Sequence, residues 1–476
     1  MALNYKSIAS NAAVAFLSQG ISFALSFLTS LIVPKILGVE EFGYWQLFMF
    51  YIAYVGFCHL GLNDGVYLVN GGKARASIPK RSIKSQFLFS LGYQCVFSLI
   101  LIIVAIYSRT DSNRAFVIGA TAFFLLINNA TSYLTYTLQA MNETKKASYA
   151  VMIERLVFLL PLLVYLFIKE KSFEPYVLAY ACSKTISLLF CIYCTKDILK
   201  AKFLPLSITA REAWNSIGIG WKLMIANIAG TLIIGIARFF IDTRWGIKDF
   251  GEVSFALSLV TFFMSFVSQA SMVLFPALRQ SNKAEQARFY THLRSAMSIA
   301  FPALYVLYVP IAILISLWLP QYNRSLAYFA ILLPMCVFDS RMNLAGNTFF
   351  KVLRKEQALL IINCVTVAFS TVGVLVGVYI AHSIRFILLS TVIVVIIRSI
   401  ISEKLIGDLL DTHSESLIYQ ELAITIVFLT MTYIFKDSWL VAVTMLTIYV
   451  LYAIFNRKYF ASLIRQIRKI DLSNHT

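Results

Sequence analysis

Charged side chains inside long apolar stretches are the residues of this sequence that could do chemistry. Four cations lie within such stretches: Arg155, Lys184, Lys222 and Arg341. A charge at the centre of a bilayer costs about 2.5–3.5 kcal/mol or more unless it faces water or a partner. Arginine offers a planar fork to phosphate oxygens and lysine a point charge. The four cations therefore predict a water-accessible interior that could hold a phosphorylated ligand.

Carboxylates at comparable depth are fewer than the cations. Only Glu154 and Asp339 lie as deep, so at least part of the positive charge should remain unneutralised. A net positive interior suits a diphosphate. The alternative is internal pairing, for which the sequence offers these combinations: Asp339 with Arg341 or Lys184, and Glu154 with Arg155 or Lys222.

The same acids are candidates for binding an ion inside the membrane. The sequence has no Walker A motif and no ATPase domain, so any process that needs energy is expected to use an ion gradient and not ATP. Glu154, Asp339 and Asp64 are the groups that could carry H⁺ or Na⁺.

The elements that position these residues follow from the composition. Of 476 residues, 59% are hydrophobic and only 13% charged, against about 25% charged in soluble domains. Apolar runs of about 20 residues, enough to cross about 30 Å of hydrocarbon, recur along the chain. The sequence predicts an all-α polytopic membrane protein with about 14 spans. They fall near residues 10–33, 44–67, 86–107, 115–138, 149–168, 174–195, 215–240, 252–278, 295–319, 325–350, 357–381, 384–403, 417–435 and 438–456.

Lysine and arginine predict the orientation of these spans. With the N-terminus in the cytoplasm, the cytoplasmic segments carry more than twice as many Lys and Arg as the opposite loops, as the positive-inside rule requires. Both termini are therefore expected in the cytoplasm. The net charge of +18 then reflects topology and contact with anionic lipid headgroups, and no nucleic-acid partner is expected. No cleavable signal peptide is predicted.

A short phrase occurs twice. "GVEEFGYW", residues 38–45, is nearly repeated by "GIKDFGEV", residues 246–253. Gly246 follows Gly38 by 208 residues, and Gly251 follows Gly43 by the same 208. Both phrases connect two predicted spans on the outer side, which indicates a parallel repeat about an axis along the membrane normal. We therefore predict six-helix bundles over residues 1–208 and 209–410, around a central cleft, with two extra helices and a basic cytoplasmic tail over 411–476.

Polar residues follow one face of the first span and of its repeat partner, the seventh span. Gln19 in the first matches Asn227 in the seventh at the repeat offset, and Arg238 lies on the same stripe. Small-residue helix packing is the alternative explanation. The pairing of the two stripes predicts that Gln19, Asn227 and Arg238 line the central cleft. Because unpaired cations are costly in lipid, Lys184, Arg341 and Lys222 are expected to face the same water-accessible cavity, with Arg155 and Arg238 nearer its two ends.

Neither a metal site nor an enzyme site is indicated. All seven cysteines fall in predicted spans, and Cys191 and Cys194 form a C-x-x-C without histidine or acidic company. The five histidines are scattered and the loops are too short for a catalytic domain. We expect no metal, no cofactor and no enzymatic activity.

One segment resembles a known family. "KILGVEEFGYWQLFMFYIAYVGFCHLGLNDGVYLV", residues 35–69, is similar to the N-terminal signature of the polysaccharide-transport (Wzx-type O-antigen and exopolysaccharide) flippases of the MATE-like superfamily. The signature is a basic residue, L-G, F-G and a later L-G-L, here Lys35, Leu37, Gly38, Phe42, Gly43, Leu60, Gly61 and Leu62. Where the family usually has an acidic residue before L-G-L, this chain has His59, with Asp64 shortly after.

The resemblance implies a substrate and a place in the cell. It implies transport of an undecaprenyl-pyrophosphate-linked oligosaccharide from the cytoplasmic to the periplasmic leaflet of the bacterial inner membrane, by alternating access. Membrane lipids, H⁺ or Na⁺ and a polysaccharide polymerase would be its partners, in O-antigen and lipopolysaccharide synthesis. The alternatives are a MATE-like drug/cation antiporter, which needs carboxylates in its cleft, and a membrane polymerase or glycosyltransferase, which needs a larger outer loop.

Overall fold

The computed structural model describes residues 20–107, 111–279, 282–412, 415–436 and 438–457. These described residues form helices and connecting segments, without a β-strand. In chain order the helices are α1 (Val33–Ile52), α2 (Leu62–Asn70), α3 (Lys80–Tyr107), α4 (Ser112–Ala140), α5 (Thr144–Ile168), α6 (Glu174–Cys194), α7 (Leu206–Trp245), α8 (Ile247–Arg279), α9 (Lys283–Ala300), α10 (Ala303–Trp318), α11 (Asn323–Arg341), α12 (Asn347–Val352), α13 (Glu356–Tyr379), α14 (Ile384–Leu410), α15 (Glu415–Phe435) and α16 (Trp439–Phe455).

The prediction of an all-α polytopic membrane protein is confirmed, whereas the number of spans is not. Within the described residues, ten helical segments are long and apolar enough to cross a membrane, or eleven if the bent helix α7 crosses as one span. The structure shows two reasons why this number is smaller than the predicted number of about 14 spans. The first two predicted spans form one segment, Gly20–His59, and α16 is a shorter apolar helix.

Contacts divide the chain into two compact units, residues 1–231 and 232–476. The division falls inside α7 rather than at the predicted boundary after residue 208. The first half of α7 packs in the first unit, where the Trp221 backbone contacts Gly61. Its second half packs in the second unit, where Ser370 Oγ donates to the Ile233 carbonyl at 2.9 Å. The predicted division into two six-helix bundles and two extra helices stays a prediction.

The two repeated phrases adopt the same backbone turn. Gly38 has a φ of 75° and Gly246 a φ of 87°, a region that favours glycine. A Cβ at either position would meet no heavy atom within 4 Å, so backbone conformation and not space requires the glycine. Gly38 kinks α1 at this turn, and Gly246 separates α7 from α8. Recurrence of this turn supports the repeat, while the rotation relating its two copies stays a prediction.

The acidic residue of each phrase ties its turn to the start of another helix of the same unit. Glu41 Oε2 accepts a hydrogen bond from the Phe173 backbone N–H at 2.9 Å. At the matching position in the second unit, Asp249 Oδ1 lies 3.5 Å from Arg324 Nη2. The shared role explains why both phrases carry a carboxylate three residues after their first glycine.

The helix that follows the first phrase is interrupted, so the prediction of one continuous span over 44–67 is wrong in this respect. After α1 the chain forms a 3₁₀ turn, Val55–His59. Leu60 and Gly61 then adopt left-handed conformations, with φ of 54° and 86°, before α2 begins. The L-G-L motif marks this break, because two consecutive left-handed residues cannot continue an α-helix.

Small residues let α2 and the first half of α7 cross at backbone contact. Gly61 and Gly65 of the break and α2 face Ser216 and Gly220 of α7. A Cβ added to Gly65 would lie 1.9 Å from the Ser216 carbonyl oxygen, and one added to Gly220 would lie 2.0 Å from the Gly61 carbonyl oxygen. Both helices thus carry a small-x-x-x-small pattern, the usual means of close helix packing in membranes.

Candidate functional site

Glu154 and Lys184 form an ion pair between α5 and α6 in the first unit. Lys184 Nζ lies 2.9 Å from Glu154 Oε2, and the two side chains are 14% and 8% exposed. The sequence analysis offered other partners for both residues. Paired in this way, they contribute no net charge to the helices that carry them.

Asp339 pairs with Arg398, a partner that the sequence analysis did not offer. Arg398 Nη2 on α14 donates to Asp339 Oδ1 on α11, and both side chains are largely buried. Asn343 Nδ2 also donates to Asp339 Oδ2, at 3.4 Å. Arg341, which the sequence analysis offered as a partner on the same helix, is bonded to other carboxylates.

Arg341 belongs to a buried cluster of two arginines and two glutamates, which we call the Arg–Glu cluster: Arg294, Arg341, Glu403 and Glu421. Arg341 Nη2 lies 2.8 Å from Glu421 Oε2, and its Nη1 lies 3.5 Å from Glu403 Oε2. Arg294 donates to Glu403 through Nε and to both carboxylate oxygens of Glu421 at 2.9 and 3.0 Å. The four side chains are 1–7% exposed. The cluster joins α9, α11, α14 and α15 and is balanced in charge.

The sequence-based count of deep acids was therefore too low. Glu403 was placed at the end of a predicted span and was not counted, Glu421 was overlooked within another, and Arg294 was assigned to a loop. The signal was available, since Glu421 lies inside an apolar run that begins near residue 417. A charged residue inside such a run needs a partner.

Two predicted binding residues, Lys222 and Arg155, have no ion pair among the described residues, and a third, Arg238, contacts a serine and an aromatic ring. Lys222 is exposed on α7, and no ion pair involves it within the described residues. Arg155 is half-buried on α5, and its Nε meets no hydrogen-bond acceptor there. Arg238 Nη2 donates to Ser254 Oγ at 3.0 Å, and its guanidinium lies 4.9 Å from the centre of the Phe250 ring.

Of the remaining predicted site residues, Asp64 lies near the helix break. The side chains of Gln19 and Asn227 are not among those that the structure describes. Asp64 is 4% exposed, and its Oδ2 lies 3.7 Å from His59 Nε2. Gln19 lies outside the described residues. Asn227 is part of α7, but its side chain lies outside the description. Whether the predicted binding residues share one cavity stays a prediction.

A second charged cluster, which the sequence analysis did not anticipate, ties three connecting segments of the first unit together. Arg75, between α2 and α3, donates through Nη1 to Glu143 Oε2 at 2.7 Å and through Nη2 to the Cys194 carbonyl at 2.6 Å. Nη2 and Nε also donate to the carboxylate of Asp197. Lys146 Nζ lies 2.9 Å from Glu143 Oε2.

These contacts shift the pKa values of the two acids in the same direction. The hydrogen bond from Arg75 holds the pKa of Asp197 well below its usual range. Burial alone would raise the pKa of Glu143, but hydrogen bonds from Lys146 and Arg75 outweigh it and lower that pKa. The hydrogen bond to Asp197 also raises the pKa of Arg75. The charged forms of all three are therefore stabilised by folding.

We expect Arg75→Ala to lower the free energy of unfolding by about 1–2 kcal/mol at neutral pH, between the values for exposed and buried pairs. Because both acids have lowered pKa values, their contribution is complete above their unfolded pKa values of about 4 and is lost as the pH falls below them. The difference in the free energy of unfolding between parent and variant should therefore shrink below about pH 4. Unfolding midpoints from pH 7 to pH 3 measure it. Arg81→Ala, an exposed arginine with a backbone partner, is the control. A difference that grows towards low pH would contradict the assignment.

The described geometry defines a polytopic helical membrane protein with broken and kinked helices and buried ion pairs, and the fold is that of transporters of the MOP superfamily. The structure aligns with that of the lipid II flippase MurJ in an inward closed conformation, with a TM-score of 0.63 and 12% identity, over 95% of this chain and 100% of that one. A multidrug resistance MATE transporter in an inward-facing conformation aligns with a TM-score of 0.56 and 11% identity, over 81% and 94%.

Sequence comparison identifies the family. The profile of the family described as "Polysaccharide biosynthesis protein" matches residues 8–282, more than half of the chain, and the chain belongs to this family. No curated protein sequence matches it.

Proposed function

We propose that this protein moves an undecaprenyl-pyrophosphate-linked oligosaccharide from the cytoplasmic to the periplasmic leaflet of a bacterial inner membrane, by alternating access coupled to an ion gradient. The family concerns polysaccharide biosynthesis, and the fold is shared with a flippase of another lipid-linked precursor. Both favour a transport step in assembly of a surface polysaccharide such as O-antigen, with a polymerase acting after it and both termini in the cytoplasm.

The observation that carries this proposal is positive charge on membrane helices without a carboxylate partner. In the first unit, Glu154 neutralises Lys184, whereas Lys222 and Arg155 have no ion pair among the described residues. Cations at such positions are stable when they face water or an anionic ligand. The diphosphate of a lipid-linked sugar is such a ligand, and it pairs well with both a lysine and an arginine.

Among the predicted binding residues, the structure thus favours Lys222 and Arg155, with Arg238 as a further contact. Lys184 and Arg341 would bind the diphosphate only in a conformation that releases their glutamates. Gln19 and Asn227 are proposed to contact the sugar. Of the proposed ion-coupling residues, Glu154 and Asp339 are held by cations, while Asp64 is next to a histidine. We therefore favour Asp64 for ion coupling.

We expect Lys222→Ala and Arg155→Ala to lose most export while the protein still folds and inserts. A charge-assisted hydrogen bond contributes about 1.5–3 kcal/mol, equivalent to a loss of about tenfold to a hundredfold in binding. Lys222→Arg should retain part of the activity, because it keeps the charge. Restoration of surface polysaccharide in a strain that lacks its own flippase measures export, with the amount of protein in the membrane measured in parallel.

Lys169→Ala is the matched control, since Lys169 is an exposed cation at the C-terminal end of α5. It should export like the parent. Full export by the Lys222→Ala/Arg155→Ala double variant at parental protein levels would reject the site. If the parent conferred drug resistance and restored no polysaccharide, the antiporter alternative would replace the proposal.

A further inference from the structure

Three fully buried amide side chains lie on the three helices that adjoin or contact the break between α1 and α2. Asn63, Gln94 and Asn129 are 0%, 0% and 1% exposed. The amide oxygen of each has no hydrogen-bond partner among the described residues. A buried polar atom left without a partner costs about 1–3 kcal/mol. Three such oxygens in one part of a membrane protein therefore require a reason.

The orientation of two of these amides is fixed by what their nitrogens meet. Asn63 Nδ2 donates to the Asn129 carbonyl at 3.3 Å, and Asn129 Nδ2 donates to the Val55 carbonyl at 2.9 Å. Only an N–H can meet a carbonyl oxygen, so both Oδ1 atoms are the free acceptors. Gln94 Nε2 donates to Ser90 Oγ at 3.2 Å, which leaves its Oε1 as the third.

The helix break brings backbone oxygens to the same region. Residues of the 3₁₀ turn, Val55–His59, lack regular α-helical bonds, and two of their carbonyls are reached by side chains. Val55 O accepts from Asn129, and His59 O accepts from Tyr93 Oη at 3.0 Å. Interrupted membrane helices whose carbonyl oxygens point inward are the usual cation-binding elements of secondary transporters.

A buried carboxylate lies on the same helix as Asn63. Asp64, adjacent to Asn63, is 4% exposed, and within the described residues its ion-pair contact is with His59. His59 Nδ1 accepts the Gly61 N–H at 3.0 Å, so the neutral imidazole carries its proton on Nε2, towards Asp64. The neutral imidazole brings no formal positive charge near Asp64, so the field of an ionised carboxylate there favours a bound cation.

We propose that the oxygens of Asn63, Asn129 and Gln94, together with backbone carbonyls of the break, bind a monovalent cation, Na⁺. One nearby carboxylate with several neutral oxygens suits Na⁺ better than Ca²⁺, which takes 6–8 oxygens and usually several carboxylates. The inference rests on the proposed function only in giving this ion a role in coupling. Binding itself does not depend on the identity of the transported lipid.

The test is Na⁺ binding by the purified full-length protein in detergent, measured with radioactive Na⁺ and by thermal unfolding in Na⁺ against choline at equal ionic strength. The parent should bind Na⁺ saturably and be stabilised by it. Asn63→Leu and Asn129→Leu should weaken binding by about tenfold or more, since even neighbours of metal ligands typically cost about 10- to 100-fold. Asn63→Asp, which keeps an oxygen and adds charge, should bind at least as tightly as the parent.

Asn363→Leu is the matched control, because Asn363 on α13 is a 5% exposed asparagine whose Oδ1 also lacks a partner in the described region, but within an uninterrupted helix. It should leave Na⁺ binding unchanged. No Na⁺-specific binding by the parent, or a response to pH alone, would overturn the inference. So would loss of binding in Asn363→Leu but not in Asn63→Leu. Export without Na⁺ binding would refute this inference alone, whereas Na⁺ binding without export would refute the proposed function alone.

Discussion

Arg294→Ala should lower the free energy of unfolding by about 3–5 kcal/mol, the cost of breaking a buried ion pair. The change leaves Glu403 and Glu421 sharing Arg341, and so leaves one uncompensated negative charge at a place where the glutamates are 7% and 1% exposed. It also removes the side-chain bonds by which Arg294 on α9 holds Glu403 on α14 and Glu421 on α15. Equilibrium unfolding in mixed detergent measures the change, with the amount of protein in the membrane as a second readout.

Arg324→Ala is the matched control. Arg324 also contacts two carboxylates, those of Asp249 and Glu252, but its side chain is 66% exposed. Its loss should cost about 0–1 kcal/mol. In the double variant Arg294→Met/Glu421→Leu, one arginine and one glutamate remain, so charge balance returns and stability should recover towards that of the parent. If Arg294→Ala and Arg324→Ala lowered the free energy of unfolding equally, burial of the Arg–Glu cluster would add nothing to the stability of the protein.

The predicted role of Arg341 bears on the same experiment. If Arg341 mainly stabilises the second unit, Arg341→Ala should lower the amount of folded protein along with export. If it also binds diphosphate when released from Glu421, export per folded molecule should fall as well. The ratio of export to folded protein separates the two roles.

The helices could be predicted from the sequence because hydrocarbon imposes one local rule, a long apolar run, on every span. The glycine turns could be predicted for a similar reason. The phrase occurs twice at one offset, and Gly38 and Gly246 both have positive φ. Such features depend on residues close together in the sequence.

Pairing of charges could not be predicted, because it depends on which helices are neighbours. Asp339 pairs with Arg398, 59 residues away, and Arg294 pairs with Glu421, 127 residues away. A sequence shows how deep each charge lies but not which helix it faces. The candidate site changed accordingly, since Arg341 and Lys184 gained carboxylate partners while Lys222 and Arg155 remained without one in the described residues.

The helix break could be predicted only in part. The L-G-L motif was visible, and it was interpreted as a family signature within a continuous span. Gly61 has two structural roles that its neighbours in the sequence do not predict. It adopts a left-handed conformation with a φ of 86°, and its backbone contacts that of Trp221 on α7. The second role arises from a helix 160 residues later, which only the folded chain brings near.

Gly220→Ala should destabilise the protein by about 1–3 kcal/mol, the usual cost of overpacking, and should reduce export in proportion. Its Cβ would lie 2.0 Å from the Gly61 carbonyl oxygen and 2.4 Å from the Gly65 nitrogen. These are backbone atoms, which cannot rotate away as a side chain could. The first half of α7 would then have to separate from α2, in the helix that also carries Lys222.

Gly218→Ala, in the same helix, should not destabilise the protein and is the control for Gly220→Ala. A Cβ at Gly218 would meet no heavy atom within 4 Å, and alanine is more favourable than glycine in a helix by about 0.5–1 kcal/mol. We therefore expect Gly218→Ala to be neutral or stabilising, and Gly65→Ala, whose Cβ would lie 1.9 Å from the Ser216 carbonyl oxygen, to behave like Gly220→Ala. Unfolding midpoints of the three variants measure the contrast. A Gly220→Ala protein as stable as Gly218→Ala would show that the two helices do not meet at backbone distance, and the close crossing of α2 and α7 would have to be abandoned.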